Sequence, residues 1–396
     1  MWRILTSGFV ALLLLVPQAA HAYVWMIRHG QTGCTSCHAD PSGGGILTPY
    51  GRAQSSLLLP PRGTDALEDS EGEEGEEKEA ERGGFMFGLL KLPDWFNTGI
   101  SIRAGGLYTR AGDLSSIRPV QMVTDIRAMV DYAGFQAAVT FGYAIRGALQ
   151  AALTGAPGNN LVSREHWVGL ASEDESLRVR AGRLTLPFGL RVPEHTLWVR
   201  ETTRTNTNEH QQHGVAVSYA SEQVRSEVMA VLGNLQLNPA EYRERGYAGY
   251  VEWAPRERFA LGLSSLVLYA HYDLETRSSS YLRQAHGLFG RWSVVPPLVF
   301  MAEADVLLAA SLGEPLNLGV TEMVQLDWEI LQGVHLFVTG EGLHRGGQSD
   351  FGGWLAVAYF VMPQIELRLD ATLRSLQEST GRTSVFSLFA QVHLSI

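Results

Sequence analysis

Cys34-Thr35-Ser36-Cys37-His38 is the segment whose residue types and spacing define a chemistry most sharply. Two thiols one helical turn apart can add to the two vinyl groups on one edge of a haem, and the histidine that follows then lies under the iron as proximal ligand. Other uses of the pair are a redox dithiol, which expects a βαβ setting, and a zinc half-site, which expects a second Cys or His pair. Neither setting is visible, and Cys34 and Cys37 are the chain's two cysteines. The motif therefore predicts one covalent c-type haem, held by Cys34 and Cys37 with His38 as axial ligand to its iron.

Two residues just upstream are candidates for the opposite face of the iron, His29 and Met26. The five-residue reach from His29 to Cys34 spans about 17 Å if extended, enough to pass round a ring. His/His and His/Met ligation are both ordinary for such iron, and either residue can instead simply pack against the ring. Residues 40–51, Asp-Pro-Ser-Gly-Gly-Gly-Ile-Leu-Thr-Pro-Tyr-Gly, are rich in turn formers, suited to wrapping a flat group or to plain connection.

Positioning is the difficulty for this segment. Residues 23–60 are too few to build an apolar core of their own, so the haem or the rest of the chain has to supply the packing. Upstream, Arg3, the nine-residue apolar run Gly8–Val16 and Ala20-His21-Ala22 form an export signal over residues 1–22, with Tyr23 as the first mature residue. Nine residues fall well short of the ~20 that a spanning helix needs.

The net charge of −10 is concentrated in one place: Asp65 to Arg82 holds ten acidic residues against Lys78 and Arg82. Residues 61–90 read as a flexible acidic tether, since Glu, Gly and Ser cannot offset the entropy of ordering. Such charge can attract cations or a basic partner, but is most often a solvated spacer. The rest of the chain is nearly balanced, which excludes the basic face that nucleic acid requires.

In the barrel region, residues 91–396, the pattern has period 2 from about Asn97 onward. Ile365, Leu367, Leu369, Ala371 and Leu373 point one way and Glu366, Arg368, Asp370, Thr372 and Arg374 the other. Sixteen such strands can be drawn, starting near residues 97, 119, 135, 162, 176, 212, 223, 246, 258, 281, 298, 320, 334, 351, 364 and 384. Short connections such as Ala133-Gly134 and Met362-Pro363 alternate with longer ones, an arrangement a soluble sandwich does not predict. The expected fold is all-β: a transmembrane antiparallel barrel of about 16 strands, preceded by a short, mainly irregular and helical haem-bearing segment. Both ends of the barrel then lie on the periplasmic side.

The last strand, Val385 to Ile396, resembles the terminal strand that the outer-membrane assembly machinery reads. The stretch Leu184 to Arg191 resembles the Pro-Phe-Gly segment after a strand in phosphate-selective-type porins, and in many porins the third outer loop folds into the pore and narrows it. That loop, 186–211, with His213 two residues beyond it, would bring in Arg191, Glu194, His195, Arg200, Arg204, His210 and His213 to bind iron or anions, although an exposed polar loop is the simpler expectation.

Taken together, the export signal, the single Cys34/Cys37/His38 motif and the sixteen-strand pattern resemble the fused monohaem cytochrome-porins of bacterial outer membranes, which include the iron-oxidising outer-membrane cytochromes. The resemblance implies electron passage between an outside donor, Fe(II) in that family, and a periplasmic c-type cytochrome, with outer-membrane lipid around the barrel. The acidic tether departs from that pattern. The residues also allow a diffusion porin for small solutes whose haem senses redox state or a gas. An enzyme such as a peroxidase would need a distal acid-base group, and no such constellation stands out.

Overall fold

Period-2 alternation closes on itself here. The computed structural model describes residues 23–31, 33–61, 92–144, 161–194, 196–235, 243–273, 275–378 and 381–395; the export signal, the acidic tether, His195 and Ile396 lie outside them. Sixteen strands follow in order: β1 (Phe96–Ala111), β2 (Leu114–Tyr132), β3 (Phe135–Ala144), β4 (Leu161–Ala171), β5 (Leu177–Leu184), β6 (Gln212–Ala220), β7 (Val224–Gly233), β8 (Arg245–Arg256), β9 (Phe259–Tyr272), β10 (Ser279–Val295), β11 (Leu298–Ala310), β12 (Asn317–Leu331), β13 (Val334–Arg345), β14 (Gln348–Met362), β15 (Ile365–Glu378) and β16 (Gly381–Ser395). Each pairs antiparallel with the next, and β1 closes on β16 through registers such as Leu107↔Phe389, so no edge is left to aggregate.

The strand starts match the sequence expectation to within a few residues. The largest departure is β2, which begins at Leu114, five residues ahead of the expected Pro119. Pro119 pairs with Gly106 of β1, while pairing with β3 begins only at Val123 among the described residues. Its missing N–H thus faces no partner strand there, which is where a strand tolerates proline. Two of the outer connections are also tight turns, at Gly112 and at Gly346-Gly347, because the flanking strands extend in place of a loop.

Outside, the alternation presents hydrocarbon. Leu261, Leu263 and Tyr269 of β9 are exposed, whereas Ala260, Leu266 and Leu268 face inward and are buried. Trp253, Trp292, Trp328 and Tyr359 all stand outward, three residues before the short-turn ends of β8, β10, β12 and β14. Such a row is the aromatic girdle of a membrane interface. No helix among the described residues is long and apolar enough to cross a membrane. Leu263 lies mid-strand on this belt, so Leu263→Arg is expected to destabilise the barrel by about 2–4 kcal/mol, read as a lower urea midpoint in liposomes. An unchanged midpoint would place that face away from lipid.

Inside, two inserts fill much of the lumen. One is the N-terminal segment, with a 3₁₀ turn at Val24–His29 and helix α1 at Pro49–Leu58. Thr48 caps α1 by accepting from Gly51 N at 3.0 Å, and Pro49 sits at its first position, where a missing N–H costs nothing. The other insert is the connection between β5 and β6, with the single-turn helix α2 at Trp198–Glu201. Val24, Met26, Ile27 and Leu59 of the first meet Leu190, Val192, Leu197 and Val199 of the second, against Met301, Phe337 and Phe360 of the wall. Burying each large apolar side chain contributes roughly 1.5–3 kcal/mol, so the barrel supplies the core that residues 23–60 cannot build alone.

Candidate functional site

The motif sits at the short-turn end of the lumen, held by arginines that project inward from the wall. Arg225, the second residue of β7, places its guanidinium 3.2 Å from Cys34 Sγ, and Arg178 of β5 donates to the Ala39 carbonyl at 2.8 Å. Arg180 of β5 pairs with Asp40 at 3.2 Å and with Glu227 of β7. Arg28, beside the motif, is itself buried and pairs with Asp327 and, at 2.9 Å, with Glu329, both of β12. Asp327 in turn contacts His335 Nδ1 at 3.0 Å, and Trp25 packs over the His335 ring at 4.2 Å. The segment leaves as it entered: Gln332, in the β12–β13 turn, donates to Leu57 O at 2.9 Å.

Within the segment, Cys34 O accepts from Cys37 N at 3.2 Å and from His38 N at 2.9 Å, so Cys34 and Cys37 are one helical turn apart. Neither forms a disulfide. The chain then doubles back: His38 bridges to Leu47, Ala39 N donates to Ile46 O at 3.0 Å, and Thr48 N to Cys37 O at 2.9 Å. The reversal uses Gly43, Gly44 and Gly45, all in the left-handed region at φ 95°, 92° and 72°. A Cβ on Gly43 would stand 3.3 Å from Cys34 Sγ, whereas one on Gly44 would meet nothing within 4 Å. The glycine run therefore leaves clear space beside Cys34.

That space belongs to a cavity of about 780 Å³, within the usual range for a small-molecule or cofactor site. Cys34, His38 and Met26 are on its wall, with Arg191 and Glu194 from the β5–β6 connection and Arg103, Arg127 and His393 from the barrel. Cys37 is one turn away and fully buried, and burial pushes its thiol up to about 12. His29 lies exposed at the end of the 3₁₀ turn, away from the cavity wall. Of the two upstream candidates the fold brings Met26, not His29, to the cavity that holds His38. The donor set, two unoxidised cysteines one turn apart with an adjoining histidine, of which Cys34 and His38 line the cavity, fits covalent haem attachment.

The β5–β6 connection is not the exposed polar loop expected by default. Leu186, Phe188, Leu190 and Val199 are all 2% exposed or less, because the connection turns into the lumen and meets the N-terminal insert. Its polar residues separate. Arg191 bonds Ser42 beside the motif, Glu194 pairs with Arg368 at 2.5 Å, and Arg200 pairs with Glu303. Arg204 binds Asp273 at 2.6 Å, and His210 reaches Glu275 at 3.5 Å. His213 stands in β6 beside His166, ring centroids 5.5 Å apart. No group of three or more His, Cys, Asp or Glu among the described residues is arranged to hold a metal ion.

Sequence reasoning missed the wall residues of the cavity. Period 2 shows that Arg103, Arg127, Glu366 and His393 face inward; only closure of the barrel shows that they face the motif.

Comparison with protein families and with curated proteins gives no match. Among solved structures, the chain is similar to an anion-selective porin from Comamonas acidovorans, at 9% identity and TM-score 0.58, over 76% of this chain and 99% of that one. It is similar also to a loop-deleted form of OmpT, an outer-membrane protein of Vibrio cholerae, at 9% identity and TM-score 0.57, over 76% and 100%. The outer-membrane channel DcaP of Acinetobacter baumannii matches at 10% identity and TM-score 0.54, over 76% and 97%. At such identities the likeness is one of fold: the chain is a closed sixteen-strand barrel of the outer-membrane porin type.

Proposed function

We propose that this chain resides in a bacterial outer membrane and serves electron transfer across it, with a c-type haem carried in its own lumen. Residues 23–60 form the haem segment, residues 61–90 a tether and residues 91–396 the barrel. The observation that carries the reading is the seating of Cys34 and His38 on a lumen cavity. Cys34 and Cys37 would hold the group through thioethers, and His38 would ligate its iron. Bound there, it supplies one-electron iron chemistry. Met26, on the wall of the same cavity, would be a further residue able to hold the iron. Cys37 is fully buried, so attachment to it would precede seating of the segment. A periplasmic c-type cytochrome as acceptor suits a motif held at the short-turn end; the donor proposed with it is extracellular, such as Fe(II).

The porin likeness favours a second reading more directly than it favours the first: a diffusion channel for small solutes, with the segment as a redox or gas sensor. The two separate in sealed outer-membrane vesicles. Electron transfer predicts that added Fe(II) gives the reduced-minus-oxidised spectrum that dithionite gives. A spectrum with dithionite but none with Fe(II), together with ion conductance in planar bilayers, would favour the channel.

A further inference from the structure

Buried charges are normally paired, because an isolated ion in a low-dielectric interior loses its hydration without compensation. The cavity beside the motif departs from that rule. Its wall carries ten arginines against seven carboxylates. Several of these arginines have acidic partners: Arg225 and Arg291 share Glu252, and Arg368 takes Glu194 and Asp370, while Arg52 and Arg191 are held by Asn97 and Ser42. Arg164 holds Asp125 at 3.2 Å.

Where β1 meets β2 the pairing runs short. Among the described residues Arg127 has one ion pair, to the far side of that same Asp125 at 4.0 Å, with Glu165 further off, and its Nε is buried with no hydrogen-bond partner. Arg103 has no ion pair among the described residues, and its one hydrogen bond is a long 3.5 Å contact to Asn208. Glu366, the nearby acid, is shared among His393 at 3.4 Å, Arg368 and Arg103 itself. Two guanidiniums on adjacent strands thus face one cavity with too little anion between them.

We propose that Arg103 and Arg127 seat a pair of carboxylates in this cavity, and that these are the two propionates of the haem carried by Cys34 and Cys37. The assignment rests on the haem reading above. Guanidinium suits the task because its planar donors match a carboxylate two to two. A free dicarboxylate solute has the same chemistry and is the competing source.

The test uses the full chain purified from outer membranes, with redox potentiometry and covalent haem staining. Cations beside the propionates favour the added electron, so Arg103→Gln with Arg127→Gln is expected to keep the stain but lower the ferrous-to-ferric ratio at fixed potential about tenfold, a fall of about 59 mV. The pair Arg103→Lys with Arg127→Lys keeps the charge and is expected near the unaltered potential, which separates charge from folding. An unmoved potential in the glutamine variant, with the stain retained, overturns the assignment alone. Succinate block of conductance in a Cys34→Ala, Cys37→Ala chain, lost on adding the glutamine substitutions while the potential of the haem-bearing chain stays unmoved, assigns the seat to a free solute and overturns it too. No stain in the unaltered protein overturns the haem reading itself, and this assignment with it.

Discussion

Arg28→Ala is expected to release the N-terminal segment from the lumen. Arg28 is 3% exposed and spans from the segment to Asp327 and Glu329 of the wall. Removing it leaves both acids facing His335 and the Trp25 ring without a guanidinium. Breaking a buried pair in this way costs about 3–5 kcal/mol, because the remaining charge stays desolvated. Little else polar ties residues 23–28 down: Arg291 reaches Val24 O at a long 3.4 Å. The result should be larger single-channel conductance in planar bilayers than the unaltered chain gives, and new trypsin cleavage within residues 23–60. Unchanged conductance with unchanged cleavage would mean that the apolar contacts of Met26, Ile27 and Leu59 hold the segment by themselves.

The second large effect is all-or-none. Cys34→Ala with Cys37→Ala is expected to abolish covalent porphyrin staining while leaving the barrel folded. The ladder that closes the barrel runs from Ser101↔Ser395 to Ala111↔Val385, and no residue of the N-terminal segment takes part in it. The two substitutions remove only sulfur at positions that the barrel does not need for closure. Heat-modifiable gel mobility checks the barrel, and in-gel peroxidase staining checks the haem. Staining retained in the double variant would show that the porphyrin is held elsewhere.

How far these features could be read in advance depends on the range of the interaction that makes them. The strands are legible because alternation is local: Leu367 and Leu369 outward, Glu366 and Asp370 inward, follow from neighbours two residues apart. The motif is legible for the same reason, since Cys34, Cys37 and His38 lie within one turn. The interior is not local. Arg180 finds Asp40 across 140 residues and Glu227 across 47, pairings that only barrel closure and insertion create. The run Val24-Trp25-Met26-Ile27 is plainly apolar, yet nothing in it says that its core is the inside of a barrel. The β5–β6 connection misleads in the opposite way, because its charged residues suggest solvent while Leu186, Phe188 and Leu190 carry it inward.

The central claim is that one chain unites a haem-bearing segment and a porin-type barrel. Intact-mass spectrometry of the protein extracted from outer membranes tests this most directly. The account predicts the mass of the chain from Tyr23 onward plus one haem, lost when Cys34 and Cys37 are replaced. A mature chain found in the outer membrane at its bare polypeptide mass would contradict it.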